Sequence, residues 1–337
     1  MSKRIGERTI KFLKPVKFAA GYAIVGPKEA KSPAHKYFDY ILNYDTFNEK
    51  TYEMAERKML EHAVMGAVSK ANLITTDIDL FVGGDLLNQI TSSSYSARQL
   101  QTSFIGLYGA CSTMTEALAL GACLIDSGGF KNIACATCSH FSTAERQYRF
   151  PLELGNQRPP TAQWTVTGAG CSILRGEGRG HDITHIVFGR VIDFGVNDVD
   201  NMGAAMAPAA ADTLCTLFKD TNTKPDDYDL IISGDLGKFG SEMLIDIMDS
   251  RGYKLKENYC DSGQMIYSTG SKAFMGGSGC GCSAAVFNTY VYAKLNDGSY
   301  KKAILMSTGA LMSTTTAQQG ETIPAIAHAV IIERGKD

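Results

Sequence analysis

Asp77-Ile78-Asp79-Leu80-Phe81-Val82-Gly83-Gly84-Asp85-Leu86 recurs as Asp227-Tyr228-Asp229-Leu230-Ile231-Ile232-Ser233-Gly234-Asp235-Leu236, with six of ten positions identical at an offset of 150 residues (85 to 235). A second correspondence lays Cys111-Ser112 over Cys282-Ser283 and Asp126 to Ile133 (DSGGFKNI) over Asp297 to Ile304 (DGSYKKAI), both at an offset of 171. Self-similarity at so long a period marks a duplicated unit rather than a short repeat array. The chain therefore divides into halves, expected as 1–178 and 179–337. At 337 residues it is long for a single core, which agrees with two units.

Each half is read from its hydrophobic pattern. In the first, strands are expected near 16–25, 80–83, 133–138 and 165–174, with helices over about 53–71 and from Cys111 to about Asp126. In the second, strands are expected near 183–192, 230–232, 303–307 and 325–332, with helices near 202–218, 244–248 and 283–295. Strands alternating with helices predict α/β layers, with a largely parallel sheet in each half.

Composition narrows the functional classes. With 33 basic and 35 acidic residues the formal charge is −2, so bulk electrostatics favours neither nucleic acid nor an acidic membrane. The N-terminus is basic but leads into no apolar signal core, and no apolar run approaches the roughly 20 residues that span a bilayer. Nine cysteines, an odd number, lie mostly in apolar or glycine- and alanine-rich stretches, a usage that predicts free thiols in a reducing interior.

Among those cysteines, Cys111 stands out. It lies in Leu107-Tyr108-Gly109-Ala110-Cys111-Ser112-Thr113-Met114-Thr115-Glu116-Ala117-Leu118, a small-residue turn running into an amphipathic helix. A thiol in the first helical turn faces unpaired N–H groups and the positive end of the helix dipole, which favour thiolate and would equally hold an anion. Cys135 and Cys138 with His140, and Cys280 with Cys282, have metal-like spacings, but neither set has a second ligand pair to complete a tetrahedral site. The Gly276-Gly277-Ser278-Gly279-Cys280-Gly281 stretch lacks the Gly-Lys-Ser/Thr ending of a phosphate loop.

A duplicated α/β unit with a cysteine at a helix start in its first copy resembles the thiolase fold of thiolases and β-ketoacyl-ACP synthases. Within that fold it resembles most the stage V sporulation protein AD family. The resemblance covers nearly the whole chain. It is carried by Gly106-Leu107-Tyr108-Gly109-Ala110-Cys111-Ser112-Thr113-Met114 and by the long segment from Arg146 to Gly170 (RQYRFPLELGNQRPPTAQWTVTGAG). It implies duplicated βαβαβαββ halves forming a five-layered αβαβα arrangement.

Condensing enzymes of the β-ketoacyl synthase III type add to the nucleophilic cysteine a histidine after a second-half strand and an asparagine, or a second histidine, from a glycine-rich loop. Cys111 matches the nucleophile. The histidine position reads Ser233-Gly234-Asp235-Leu236-Gly237, and the loop from Phe274 to Ser283 holds neither asparagine nor histidine. Losing the base and the oxyanion donor removes proton transfer, typically 10²- to 10⁴-fold, and electrostatic stabilisation of similar size. Asp235 or Asp85 in the role of base would raise the thiol's pKa by like-charge repulsion.

The resemblance therefore implies binding without turnover, of dipicolinic acid or its calcium chelate, for uptake into the developing spore. The alternative is an acyltransferase or condensing enzyme with Cys111 as nucleophile. No cofactor is implied beyond calcium arriving with the ligand, and Asp193, Asp198, Asp200 and Asp220 do not have EF-hand spacing. The implied partners are other SpoVA proteins at the spore inner membrane. The implied location is peripheral, at the cytoplasmic face or on that membrane. A homodimer would pair through the strand at 102–107.

Pyridine-2,6-dicarboxylate is small, flat and dianionic, so it needs donors or cations at its carboxylates and an apolar slot for its ring. Cys111, Ser112 and Thr113 at the helix start are candidates for one carboxylate, joined by Ser278 and Gly279 of the glycine-rich loop and by Gly309 of the Ser307-Thr308-Gly309-Ala310 segment. Arg146, Arg149 and Arg158 are candidates for the other, Arg158 being held by Arg158-Pro159-Pro160 on a stiffened backbone. His140 follows a strand that ends near the expected pocket. His328 reads as a satisfied core histidine, and His181 and His185, on an alternating apolar strand, are assigned no chemistry.

Overall fold

The computed structural model describes residues 2–148, 158–267 and 273–335. The first half contributes strands β1 (Lys3–Ile5), β2 (Thr9–Val25), β3 (Tyr40–Ile41), β4 (Leu80–Gly84), β5 (Phe104–Gly106), β6 (Asn132–Ser139), β7 (Trp164–Thr165) and β8 (Gly168–Arg175). The second contributes β9 (His181–Val187), β10 (Leu230–Ser233), β11 (Tyr259–Asp261), β12 (Gly277–Ser278), β13 (Lys302–Ala310) and β14 (Ala325–Glu333). The helices that matter below are α1 (Tyr52–Lys70), α2 (Thr91–Leu100), α3 (Thr113–Asp126), α4 (Phe141–Tyr148), α5 (Met202–Thr221), α6 (Gly237–Ser250), α7 (Ser262–Ile266) and α8 (Cys280–Val286).

The strand order is β5-β4-β6-β8-β2 in the first half and β11-β10-β13-β14-β9 in the second, the same path twice. The expectation of largely parallel sheets is corrected. Along these two paths β5-β4-β6 and β11-β10-β13 are parallel, while β8, β2, β14 and β9 join antiparallel. The two sheets also meet, because β2 pairs antiparallel with β9. Antiparallel neighbours need no helical crossover, so the outer strands of each half escape the alternation that the sequence suggested.

Strand residues alternate between two helix layers. Val82, Ile133 and Cys135 of the first sheet and Ile232, Leu305, Val330 and Ile332 of the second pack with Met114, Leu118 and Ala122 of α3 and with Ala285 and Val286 of α8. Phe81, Ala134 and Ile173 face the other way, onto Met59, Leu60 and Ala63 of α1. Ile231, Ile304 and Ile331 face Leu214 and Leu217 of α5 and Leu244 and Met248 of α6. The result is the five-layered αβαβα order, with α3 and α8 in the middle. Strands covered on both faces explain why Leu80–Gly84 and Leu230–Ser233 read as continuous apolar runs.

The repeated aspartates have matching roles. Asp77 and Asp227 accept from the backbone N–H three residues upstream, Ile74 and Lys224 respectively. Asp79 accepts from Lys131 and Asn132, and Asp229 from Lys301 and Lys302, so each clamps the start of the neighbouring strand. This matching places Asn132 over Lys302, an offset of 170, and shifts the expected alignment of this segment by one residue. In the better register, Gly128 meets Gly298, Phe130 meets Tyr300 and Lys131 meets Lys301.

Other expectations change locally. The strand near 183–192 ends at Val187, and Ile192 rejoins only through a single bridge to Ala325. The helix near 244–248 runs the full length of α6. Helix α2, which is not among the helices expected from sequence, turns Ser92, Ser93 and Ser96 inward, with Ser96 Oγ donating to Ser92 O. No helix among the described residues is long and apolar enough to cross a membrane.

The N-terminal strand is tied to α5 by Asp220, which accepts from the backbone N–H of Glu7, Arg8 and Thr9 and from Thr9 Oγ at 2.8–3.0 Å. Asp220→Ala is expected to cost about 2 kcal/mol, measured by urea unfolding, since hydrogen bonds to a carboxylate are stronger than neutral ones. An unchanged urea midpoint would show that the clamp adds nothing.

Candidate functional site

The chain leaves β5 and makes a tight turn at Ala110–Ser112 before α3 begins. Ala110 has φ +51°, a left-handed conformation that costs a non-glycine residue about 1 kcal/mol or more. The surrounding bonds hold it there. Gly109 O accepts from Ser112 N at 3.1 Å and Ser112 Oγ at 2.7 Å, and Ala110 O accepts from Thr113 Oγ at 2.6 Å. Gly309 of β13 backs the turn, and a Cβ on it would stand 2.3 Å from Gly109 O.

This turn presents Cys111, only 7% exposed, with its Sγ 3.8 Å from Ser278 Oγ. Behind Ser278 lies Asp235, fully buried after β10. Its Oδ2 accepts from Ser278 Oγ at 3.2 Å and Gly279 N at 3.3 Å, and its Oδ1 from Thr308 Oγ at 2.9 Å. Asp261 lies further in, accepting from Ser233 Oγ and from the N–H groups of Leu236, Gly237 and Gln264. A carboxylate and a hydroxyl thus face the thiol from the two segments where the resemblance to condensing enzymes implies an imidazole and an amide.

Electrostatics follows from burial. The Cys111 thiol is pushed well above its usual value, first by desolvation and then by the charges of Asp235 and Cys280. The expectation that the helix start would favour thiolate is therefore reversed. A terminal dipole effect is small beside the cost of burying a charge next to a carboxylate. Asp235 itself is pushed up to about 7, chiefly by desolvation, with the hydrogen bond from Cys111 opposing and Asp261 adding.

The thiol opens into a cavity of about 70 Å³. Leu86, Ala110, Ala144, Tyr148, Val199, Met202, Ala310 and Met312 form its apolar walls, and Glu145, Gln163, Thr165, Asp200 and Ser278 its polar groups. The short β7–β12 pairing sets Thr165 beside Ser278 across the two halves. Gln163 Nε2 donates to Asp235 O at 2.6 Å and Gly277 O at 3.0 Å, and Tyr148 Oη to Leu86 O at 2.9 Å.

The structure separates the candidate residues. Cys111 and Ser278 line the cavity. Gly279, at φ +98°, gives its N–H to Asp235, and Gly309 packs against the turn. Ser112 and Thr113 spend their hydroxyls on the turn's own carbonyls and lie outside the lining. His140 is a correction too. Its Nδ1 accepts from Ser142 N, so Nε2 carries the proton and donates to Asp45 O at 2.9 Å, and burial lowers its pKa. It holds the start of α4 and stays out of the cavity.

Arg146 pairs with Glu53 at 2.6 Å on the surface, away from the cavity. Arg149 lies outside the described residues. Arg158 stands one layer back. It pairs with Glu145, donates to Gln163 O at 2.7 Å and lies over the Phe141 and Trp164 rings, which stack at 3.9 Å. Glu145, Gln163, Thr165, Tyr148 and Met312 are not among the sequence candidates, and Asp200 enters there only as an acid without EF-hand spacing. Tyr148, Gln163 and Thr165 fall in the long segment that carries the resemblance, which is their only signal.

The nine cysteines are free thiols. Cys135 and Cys138 donate to Ala117 O and Glu56 Oε1, and Cys280 to Cys138 O. Among the described residues, no group of three or more His, Cys, Asp or Glu side chains is arranged to hold a metal.

Three comparisons bear on this site. The family model for stage V sporulation protein AD (SpoVAD) matches residues 6–333. The stage V sporulation protein AD of Bacillus subtilis (strain 168) is 44% identical over 332 residues, covering 98% of each chain. Among solved structures, 3-oxoacyl-[acyl-carrier-protein] synthase III from Aquifex aeolicus VF5 superposes with a TM-score of 0.57 at 14% identity, covering 94% of this chain and 99% of that one. Human mitochondrial 3-ketoacyl-CoA thiolase in complex with CoA gives 0.60 at 13% identity, covering 97% and 99%. At such identities these two structures establish the fold alone.

Proposed function

Because the chain belongs to the stage V sporulation protein AD family, we propose that its Cys111 cavity binds dipicolinic acid, free or as the calcium chelate, without turning it over. In this reading the ligand is held for uptake into the developing spore. The protein works as a homodimer peripheral to the spore inner membrane, beside other SpoVA proteins, and any calcium arrives with the ligand. The observation that carries the reading is the thiol's setting. Cys111 faces Asp235 and Ser278 and is held neutral by burial and by like charge.

The chemistry of the cavity's lining supports it. Leu86, Tyr148, Met202 and Met312 offer apolar walls to a flat ring, while Ser278 and Thr165 offer hydroxyl donors to a carboxylate. Arg158, tied to Glu145 and Gln163, is close behind those lining residues. An acyl-transfer reading would require Asp235 as base, and its charge disfavours the thiolate that such chemistry needs.

Calorimetric titration with dipicolinate, with and without calcium, tests the proposal. Saturable binding is expected for the wild type, weakened at least tenfold in Cys111→Trp, whose indole fills the cavity. Absence of heat at millimolar ligand would sink the reading. A covalent acyl adduct on Cys111 after incubation with acyl-CoA, seen by intact-mass spectrometry, would move acyl transfer ahead.

A further inference from the structure

Resting on the reading that an anionic ligand occupies the Cys111 cavity, we infer that Asp235 sets the charge state the cavity accepts: the anion enters together with one proton, carried on the Asp235 carboxyl. The argument begins with Ser278. Its hydroxyl has a single proton, which it gives to Asp235 Oδ2 at 3.2 Å, while its other side faces Cys111 Sγ at 3.8 Å. A ligand carboxylate seated against the thiol needs that same proton. An ionised Asp235 keeps it, and adds a second negative charge in a buried setting that screens the repulsion poorly. A protonated Asp235 resolves both conflicts. Its Oδ2–H donates to Ser278 Oγ, and the Ser278 O–H turns outward to the ligand.

Among the described residues, the titratable groups facing Asp235 are Asp261 from β11, Cys111 ahead of α3, and Cys280 and Cys282 on α8, and none of these is cationic. Thr308, Ser278 and Gly279 supply hydrogen bonds without charge. The repeat gives a contrast. Asp85, at the equivalent position in the first half, turns its oxygens to Leu87 N, Ser93 N and Ser93 Oγ and takes no part in the Cys111 site. Burial pushes the Asp235 carboxyl up to about 7, so the coupling falls in an accessible range.

Titration of the full chain with dipicolinate between pH 6 and 9, in two buffers of different ionisation enthalpy, tests this. The ligand's own carboxyls stay ionised over that range. The Kd is expected to be flat below about pH 7 and to rise about tenfold per pH unit above it, with about one proton taken up per ligand at pH 8. In Asp235→Asn both the slope and the proton uptake should vanish. If that variant does not fold, the wild-type proton count decides alone. Binding with a pH-independent Kd and no proton exchange would overturn the inference and leave the dipicolinate reading standing. No binding at any pH would overturn both.

Discussion

The Gly309→Ala variant is expected to lose roughly 3 kcal/mol of stability and, with it, the ligand binding proposed for the Cys111 cavity. A Cβ at this position meets Gly109 O at 2.3 Å and Ser112 N at 3.1 Å, both backbone atoms of the turn that carries Cys111. Neither side can yield cheaply. Gly309 is locked in β13 opposite Ile326 of β14, and Gly109 O already accepts two hydrogen bonds that keep Ala110 left-handed. Urea unfolding and calorimetry read the two effects separately. Gly129→Ala is the control: its Cβ would meet only Ser127 Oγ at 3.5 Å, so a few tenths of a kcal/mol is expected there. A Gly309→Ala protein as stable as the control would show that the turn is not held by this contact.

Asp235 governs a second large effect, on stability against pH. Its carboxyl is raised from an ordinary value near 3.8 to about 7 in the folded chain, chiefly by desolvation. Between those values the native state holds a proton that the unfolded chain has released, so stability falls as pH rises. The contribution is full below about pH 4, shrinks through the window and is gone above about pH 7, a span of roughly 4 kcal/mol. Glu29, Glu56, Asp85 and Asp261 are raised as well, burial being the largest cause for each, and they act in the same direction.

Asp235→Asn is therefore expected to flatten part of the fall and to be more stable than the wild type at pH 8. Removing the carboxylate also lowers the Cys111 pKa, so iodoacetamide should alkylate the thiol at pH 8 several-fold faster. Burial, the larger cause, remains and keeps it slower than a free thiol. Urea midpoints from pH 4 to 8 measure the slope, and an identical slope in variant and wild type would remove Asp235 as its source.

Much of the site could not be read from the chain because its residues spend their polarity locally. Ser112, Thr113 and His140 are the residue types that bind anions. Each is consumed by a carbonyl or N–H within a few residues or, for His140 Nε2, by the distant carbonyl of Asp45. Arg146 finds Glu53 on the surface, 93 positions away in sequence. Conversely, Met312 and Asp200, from the second half, carry no motif and reach the cavity beside Cys111 only because the halves fold onto each other.

The amino-acid sequence by itself determined the duplication, the strands of the repeated aspartate motif and the helix that follows Cys111. These depend on near-neighbour physics: side-chain period, turn residues and the Asp77 and Asp227 carboxylates accepting from backbone three residues away. It also determined that no histidine follows the second-half strand. Only the tertiary structure decided the one-residue shift between the copies, the antiparallel outer strands and the charge state of the thiol. Those depend on which groups from distant segments are buried together. A helix start alone favours thiolate, and the same helix start buried against Asp235 favours the thiol.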